Sequence, residues 1–207
     1  MTSIHERLID AAEAGDAALC SLLISQGADP RTRRDAALAS AAAAGRSECV
    51  RLLIPLSYPK TNSSEALYFS AANGHAECVK LLIPVSEPKA EYSRALLISA
   101  QRGLIECVRP LLPVSDSLSR RSHLPDLERR NNVPLYAAFD RGRARVVSAM
   151  LAHEPRLLKS LNLPALLADS ISQGHADLSA LLASIIEQQE LSTSLPTLGP
   201  SSPTSRL

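Results

Sequence analysis

Four cysteines are the residues of this 207-residue chain best suited to covalent or metal chemistry. They lie at positions 20, 49, 78 and 107, and the last three are spaced 29 residues apart. Such thiols could form disulfides or bind a metal, or they could be small apolar residues of a core. No Cys-x-x-Cys pair occurs, and equivalent residues of stacked helical units lie about 10 Å apart, beyond the roughly 7 Å between Cα atoms that a disulfide spans. We therefore interpret Cys49, Cys78 and Cys107 as buried, reduced thiols, which are typical of a cytosolic protein.

Other groups that could carry out catalysis are sparse. The five histidines, at positions 5, 75, 123, 153 and 175, form no Ser-His-acid or Cys-His pattern, and the eight glycines form no phosphate-binding loop. Glutamates recur at positions 48, 77 and 106, but a basic residue follows each of them by three positions, as on a solvated helix face. We expect no enzyme activity, no cofactor and no metal site.

The cysteines share their 29-residue spacing with the residues that must position them. The same spacing relates three turn glycines, three residues suited to begin a helix and three prolines suited to follow one: Gly45, Gly74, Gly103, Asp35, Ser64, Ser93, Pro55, Pro84 and Pro113. Repetition at a period of about 20 to 50 residues is typical of stacked repeats rather than of a single globular core. We predict one pair of helices per repeat, with Asp35, Ser64 and Ser93 as N-caps and with Leu81 buried between neighbouring repeats.

The composition limits the partners of such a stack. Hydrophobic residues make up 45% of the chain, aromatic residues make up 3%, and tryptophan does not occur, so the core must consist of Leu, Ala, Ile and Val. A formal net charge of +1 does not favour binding to nucleic acid or to a membrane surface. The apolar runs are too short and too often interrupted by charge to span a bilayer. We expect a cytoplasmic monomer that binds another protein, and neither nucleic acid nor membranes.

The 29-residue spacing ends after the fourth repeat. Gly103 and Gly142 are 39 residues apart, and the excess lies in an insert at 115–130, which is a long loop or a short extra helix. Two further repeats follow, with turns at Gly142 and Gly174. We therefore predict a repeat domain over residues 1–190 and a disordered tail, rich in serine, threonine and proline, over residues 191–207.

Several segments resemble ankyrin repeats. Gly27-Ala28-Asp29 is similar to the loop of that family, Gly74-His75 and Gly174-His175 are similar to its turn, and residues 133–138 are similar to its Thr-Pro-Leu-His segment. The resemblance covers residues 4–186 and implies an all-α, ankyrin-like α-solenoid of about six stacked helix pairs. It also implies that the rings of His75 and His175 hydrogen-bond to backbone. Because the middle repeats are shorter than the roughly 33 residues of the family, we expect its β-hairpin fingers to be reduced or absent.

The same resemblance implies where a partner would bind. In ankyrin repeats the first helices and the loops line a concave groove, and the two residues before each turn glycine face that groove. We predict a protein-binding site at polar, charged and aromatic groove positions of repeats three to five: Asn73, Tyr92, Arg94, Gln101, Arg102, Asp140 and Arg141. Tyr and Arg often anchor interfaces, whereas Ala43, Ala44 and Ala72 offer a partner little area. The alternative interpretation is a solvated surface that happens to carry charge.

The function implied by the resemblance is non-enzymatic binding of a partner protein. The degenerate repeats resemble those of bacterial ankyrin-repeat proteins, which include scaffolds and effectors delivered into host cells. The alternative is a regulatory or inhibitory subunit of an unidentified enzyme. Likeness of fold does not decide between these functions.

Overall fold

The computed structural model describes residues 3–115 and 134–194, except for the side chains of residues 61–63, 90–92, 160 and 193–194. In these residues the protein is all-α, and they contain no β-strand. The prediction of an all-α solenoid is confirmed. None of the described helices is both long enough and apolar enough to cross a membrane.

The described residues form six helix pairs that follow one another along the chain. The first four pairs are α1 (Ile4–Ala14) with α2 (Ala17–Ser25), α3 (Thr32–Ala43) with α4 (Ser47–Leu53), α5 (Thr61–Ala72) with α6 (Ala76–Leu82), and α7 (Ala90–Arg102) with α8 (Ile105–Leu111). The last two pairs are α9 (Pro134–Asp140) with α10 (Ala144–His153), and α12 (Leu163–Ser172) with α13 (Ala176–Ser194). The short helix α11 (Leu157–Ser160) lies in the connection between these two pairs.

The pairs stack into two layers. The first helices α1, α3, α5, α7, α9 and α12 pack in that order, and the second helices α2, α4, α6, α8, α10 and α13 form the other layer in the same order. Each repeat therefore contacts its sequence neighbours, as in other solenoids.

The core repeats from pair to pair with the turn glycine as the reference point. Seven residues before that glycine, the first five repeats place a leucine that is at most 1% exposed: Leu8, Leu38, Leu67, Leu96 and Leu135. Eight residues after it, every repeat places a fully buried leucine or methionine: Leu23, Leu53, Leu82, Leu111, Met150 and Leu182. The prediction of Leu81 as the buried leucine is wrong, because neighbouring helical residues point about 100° apart; Leu81 is half-buried and Leu82 is fully buried.

Side chains cap the first helices at the two ends of the stack. Ser3 forms a capping box with Glu6, and the Asn162 Oδ1 accepts a hydrogen bond from the Ala165 N–H at 3.2 Å. Asp35, Ser64 and Ser93, predicted as N-caps, are buried and have left-handed φ values of 61°, 65° and 61°. They lie within the bounds of α3, α5 and α7, whose first residues have no side-chain cap. In α3 the backbone is non-helical at residues 33–35, so its right-handed part begins directly after Asp35.

The connections between repeats are short and contain proline. A 3-10 turn follows α4 at Ile54–Leu56, and an equivalent turn follows α6 at Ile83–Val85. The predicted insert lies outside the described residues except for Ser115. Helix α13 continues to Ser194, past the predicted boundary at residue 190, and residues 195–207 lie outside the described part of the chain.

Candidate functional site

A ladder of hydrogen bonds joins the turns of neighbouring repeats along one edge of the stack. At four junctions, the residue after the turn glycine reaches back to the carbonyl group two residues before the previous turn glycine. Arg46 donates from Nε to the Glu13 oxygen at 2.9 Å, and the His75 Nε2 lies 3.0 Å from the Ala43 oxygen. Later in the stack, the same contacts are Arg143 Nε to the Gln101 oxygen, 3.2 Å, and His175 Nε2 to the Asp140 oxygen, 3.3 Å. The expectation that His75 and His175 bond to backbone is confirmed.

The junction between the third and fourth repeats forms this contact differently. The residue after Gly103 is Leu104, whose side chain cannot donate a hydrogen bond. Arg102, on the other side of the glycine, donates from Nη1 to the Ala72 oxygen at 2.6 Å. Asn73, at the equivalent position one repeat earlier, donates from Nδ2 to the Ala43 oxygen at 2.8 Å. Two of the predicted binding residues therefore also link neighbouring repeats.

Only glycine fits well at these turns, both because of the left-handed backbone conformation and because of the space that the ladder side chains occupy. Gly45 has φ of 74°, a left-handed value that side chains disfavour. A Cβ atom at Gly45 would lie 2.5 Å from the His75 Nδ1. The His75 ring thus occupies space that only glycine leaves open.

A hollow of about 290 Å³ opens between α3 and α5 on the face opposite the second helices. Four small residues of α3 form its floor, and longer side chains of α3 and α5 surround them: Ala36, Ala39, Ser40, Ala43, Arg33, Arg34, Glu65 and Phe69. We refer to these eight residues as the groove hollow. Small residues of this kind, which we expected to offer a partner little area, therefore create a depression that can receive a side chain.

Aromatic and cationic groups adjoin the groove hollow. The rings of Tyr68 and Phe69 lie 5.4 Å apart between centroids, tilted by 56°. The Arg94 guanidinium carbon of the next repeat lies 3.9 Å from the centre of the Tyr68 ring, close enough for a cation–π contact. Sequence reasoning missed Tyr68 and Phe69, although they lie six and five residues before Gly74, where both side chains are half-buried.

Part of the sequence that forms this repeated structure matches a known protein family. The family model for ankyrin repeats, in three copies, matches residues 8–95. Residues 8–95 are ankyrin repeats. A search of curated proteins found no match. Beyond residue 95, the remaining helix pairs continue the same stack and the same ladder of turn contacts.

The predicted binding residues have different environments in the stack. Arg102 and Arg141 are exposed just before their turn glycines. Gln101 and Asp140 are half-buried, and their backbone oxygens accept the ladder bonds from the following repeat. The Tyr92 side chain lies outside the described residues. The Arg94 guanidinium lies against the Tyr68 ring of the previous repeat.

Charge is distributed unevenly along the groove. In the first repeat, Asp10 and Glu13 are exposed, and Glu6 forms an ion pair with Arg33 at 2.7 Å. At the equivalent edge, the fourth repeat has the exposed Arg102, and the fifth has the exposed Arg141 beside the half-buried Asp140. The first repeat is therefore acidic at this edge, and the fourth is basic.

The cysteines are buried in the core and are poor nucleophiles. All four are free and at most 1% exposed. Burial raises the pKa of the Cys20 thiol to about 12 and that of the Cys107 thiol to about 11. A protonated thiol is neither a good nucleophile nor a metal ligand. Among the described residues, no three His, Cys, Asp or Glu side chains are grouped so that they could hold a metal ion.

Proposed function

We propose that this protein binds a partner protein through the concave groove of its ankyrin stack and has no catalytic role of its own. Ankyrin repeats indicate a protein–protein interaction module. The observation that carries the choice of face is the groove hollow, where a cavity with an alanine floor lies beside Phe69, Tyr68 and Arg94. A cavity that accepts one apolar side chain, next to aromatic and arginine contacts, has the composition of an interface hot spot.

The groove also has a preferred direction for a partner. A segment bound along it would place basic groups near Asp10 and Glu13, an apolar side chain in the groove hollow, and acidic groups near Arg102 and Arg141. Complementary charge of this kind favours correct orientation and fast association more than it adds affinity.

Photo-crosslinking tests the choice of face. A photoreactive amino acid replaces Ser40 inside the groove hollow, and in a matched protein it replaces Arg51, which is exposed on the second helix of the same repeat. Both proteins are incubated with bacterial lysate and, separately, with host-cell lysate. We expect a discrete crosslinked partner from position 40 and none from position 51. Crosslinking from position 51 alone would contradict binding through the groove.

The lysate that supplies the partner distinguishes the biological roles that we consider. A partner found in host lysate supports an effector delivered into host cells, whereas a bacterial partner supports a scaffold. The alternative role, a regulatory or inhibitory subunit, predicts a bacterial enzyme whose rate changes when the purified chain is added.

Side-chain variants then locate the binding energy. We expect Tyr92→Ala and Arg141→Ala each to weaken binding by about 1 kcal/mol or more, as interface anchors do. Lys80→Ala is the control, because Lys80 is exposed on α6 and pairs only with Glu77 at 3.6 Å. A larger loss of affinity for Lys80→Ala than for the two groove variants would show that the partner binds the second-helix layer.

A further inference from the structure

The last helix pair leaves uncovered a surface that every other pair buries. Three residues before the turn glycine, the first five repeats place Ala12, Ala42, Ala71, Ala100 and Phe139, all at most 5% exposed. The equivalent residue of the sixth repeat is Ile171, which is 63% exposed. Four residues earlier, Leu167 is half-buried, whereas its equivalents are at most 1% exposed. The next repeat covers these positions, and no described residue covers them in the sixth.

The turn of the last pair is open in the same direction. At each of the five preceding turn glycines, a side chain of the following repeat lies within 4 Å of where a Cβ atom would be. At Gly174 nothing lies within that distance. We call the surface formed by Leu167, Ile171 and Gly174 the end face. It is a direct continuation of the interface that holds neighbouring repeats together.

The opposite end of the stack differs in charge. Eight residues before the turn glycine, repeats two to six place an apolar residue that faces the preceding repeat and is buried: Ala37, Ala66, Ala95, Pro134 and Leu166. The first repeat has Arg7 at this position, and Arg7 is exposed. Leu22 is also exposed at this end. Stacking the first repeat of one molecule on the end face of another would therefore bury a guanidinium against Leu167 and Ile171, which is costly without a partner for the charge.

We propose that the end face binds the end face of a second copy of this chain, which gives a closed dimer with two-fold symmetry. The end face is apolar and has no charged group of its own, so it is self-complementary, as a two-fold interface requires. Leu167 and Ile171 lie four residues apart on one stripe of α12, so antiparallel packing of the two α12 helices places Leu167 of each copy beside Ile171 of the other. The dimer leaves both grooves open and replaces the monomer that the sequence suggested.

Analytical ultracentrifugation of the full chain tests this proposal over about 1 μM to 1 mM, a range that covers weak to moderate affinities. We expect a reversible equilibrium that approaches twice the 22.1 kDa mass of one chain. Ile171→Glu should raise the dimer dissociation constant by about 100-fold or more, because each carboxylate would then be buried against Leu167 of the other copy without a partner for its charge. Ala165→Glu, which adds the same charge to an exposed position of the same helix that points away from Leu167 and Ile171, should leave the equilibrium unchanged.

A second measurement does not depend on introducing charge. Ile171→Cys provides an accessible thiol in a protein whose own four thiols are buried, and a short bismaleimide should link two such chains. Ala165→Cys, on the side of α12 away from the end face, should link much less efficiently.

Several outcomes would overturn the dimer. A wild-type protein that is monomeric at 1 mM excludes it, and so does a dimer that Ile171→Glu leaves intact. A series of larger oligomers would indicate head-to-tail stacking instead. A full chain that is monomeric but dimerises after truncation at residue 194 would identify residues 195–207 as the occupant of the end face.

Discussion

Arg102 donates a hydrogen bond from its Nη1 to the backbone oxygen of Ala72 at 2.6 Å, across the junction between the third and fourth repeats. At the other junctions of the ladder, the donor is the histidine or arginine that follows the turn glycine. Here that residue is Leu104, and Arg102 provides the hydrogen bond from the other side of Gly103. A donor is thus kept at the junction although the residue that normally carries it has changed.

The first prediction concerns this substitution of one donor for another. Arg102→Ala should lower the free energy of unfolding by about 1–3 kcal/mol, the usual effect of losing a charged hydrogen bond to a partly buried acceptor. Adding Leu104→His to that variant should recover part of the loss, because it recreates the contact that His75 makes one repeat earlier. Urea denaturation followed by circular dichroism measures both effects. If Leu104→His stabilises the wild type as much as it stabilises Arg102→Ala, the two donors do not replace one another.

The second prediction separates two adjacent leucines of α6. Leu82 is fully buried between repeats, so Leu82→Ala should cost about 2–5 kcal/mol of unfolding free energy. Leu81 is only half-buried, and Leu81→Ala should cost roughly half as much or less. Equal losses in denaturant titrations, or a larger loss for Leu81→Ala, would mean that the helix is rotated relative to this structure.

The third prediction compares two glycines with the same backbone conformation. Gly45 and Gly174 both have φ of 74°, but a Cβ atom would meet the His75 ring at Gly45 and nothing within 4 Å at Gly174. Both alanine variants carry the cost of a left-handed conformation, roughly 1–2 kcal/mol. Gly45→Ala should destabilise the protein further, because the His75 ring must also move. Thermal melts of the two variants give this difference directly, and equal melting temperatures would rule out the steric contribution.

The fourth prediction follows from the raised pKa values of the buried thiols. At pH 8 a thiol reagent should modify the native protein slowly and all four cysteines quickly in urea, because the pKa of Cys20 is about 12 in the folded protein against an ordinary 9.0. Between about pH 9 and pH 12 the folded state keeps the proton of the Cys20 thiol, whereas the unfolded state releases it. Stability is therefore complete below about pH 9 and falls as the pH rises towards 12.

Urea titrations at pH 8 and pH 10 measure that loss, with Cys20→Ala as the control. The variant should lose less stability than the wild type between the two pH values, although its packing is poorer at both. An identical loss in the two proteins would show that the Cys20 thiol contributes nothing to the pH dependence.

The sequence predicted the parts of the fold that depend on local residue type and spacing. The six helix pairs and the backbone bonds of His75 and His175 follow from spacing together with the family resemblance. The burial of the cysteines follows from their position on apolar stripes. In each case the decisive contact is within one turn of a helix or is repeated in register.

Other features depend on three-dimensional relationships that spacing does not specify. The left-handed conformation of Asp35, Ser64 and Ser93 is rare for residues other than glycine, so residue type suggested N-caps instead. The groove hollow arises because small side chains of α3 lie beside Phe69 of α5. A search of the sequence for charged groove residues does not find a depression between small side chains. The contact between Arg94 and Tyr68 joins residues from different repeats, and no local pattern indicates it.

The Arg143–Gln101 bond bears on how this protein can change in length. It joins residues 42 positions apart, whereas the equivalent His75–Ala43 bond joins residues 32 apart, yet both make the same junction. Helix and turn contacts define the junction, so the number of residues that connect the fourth and fifth repeats is free to vary. Closing a somewhat longer connection costs only a few tenths of a kcal/mol, because that cost grows with the logarithm of length. Insertions, deletions or an added recognition sequence can therefore accumulate at this one position while the helix pairs on either side keep their packing.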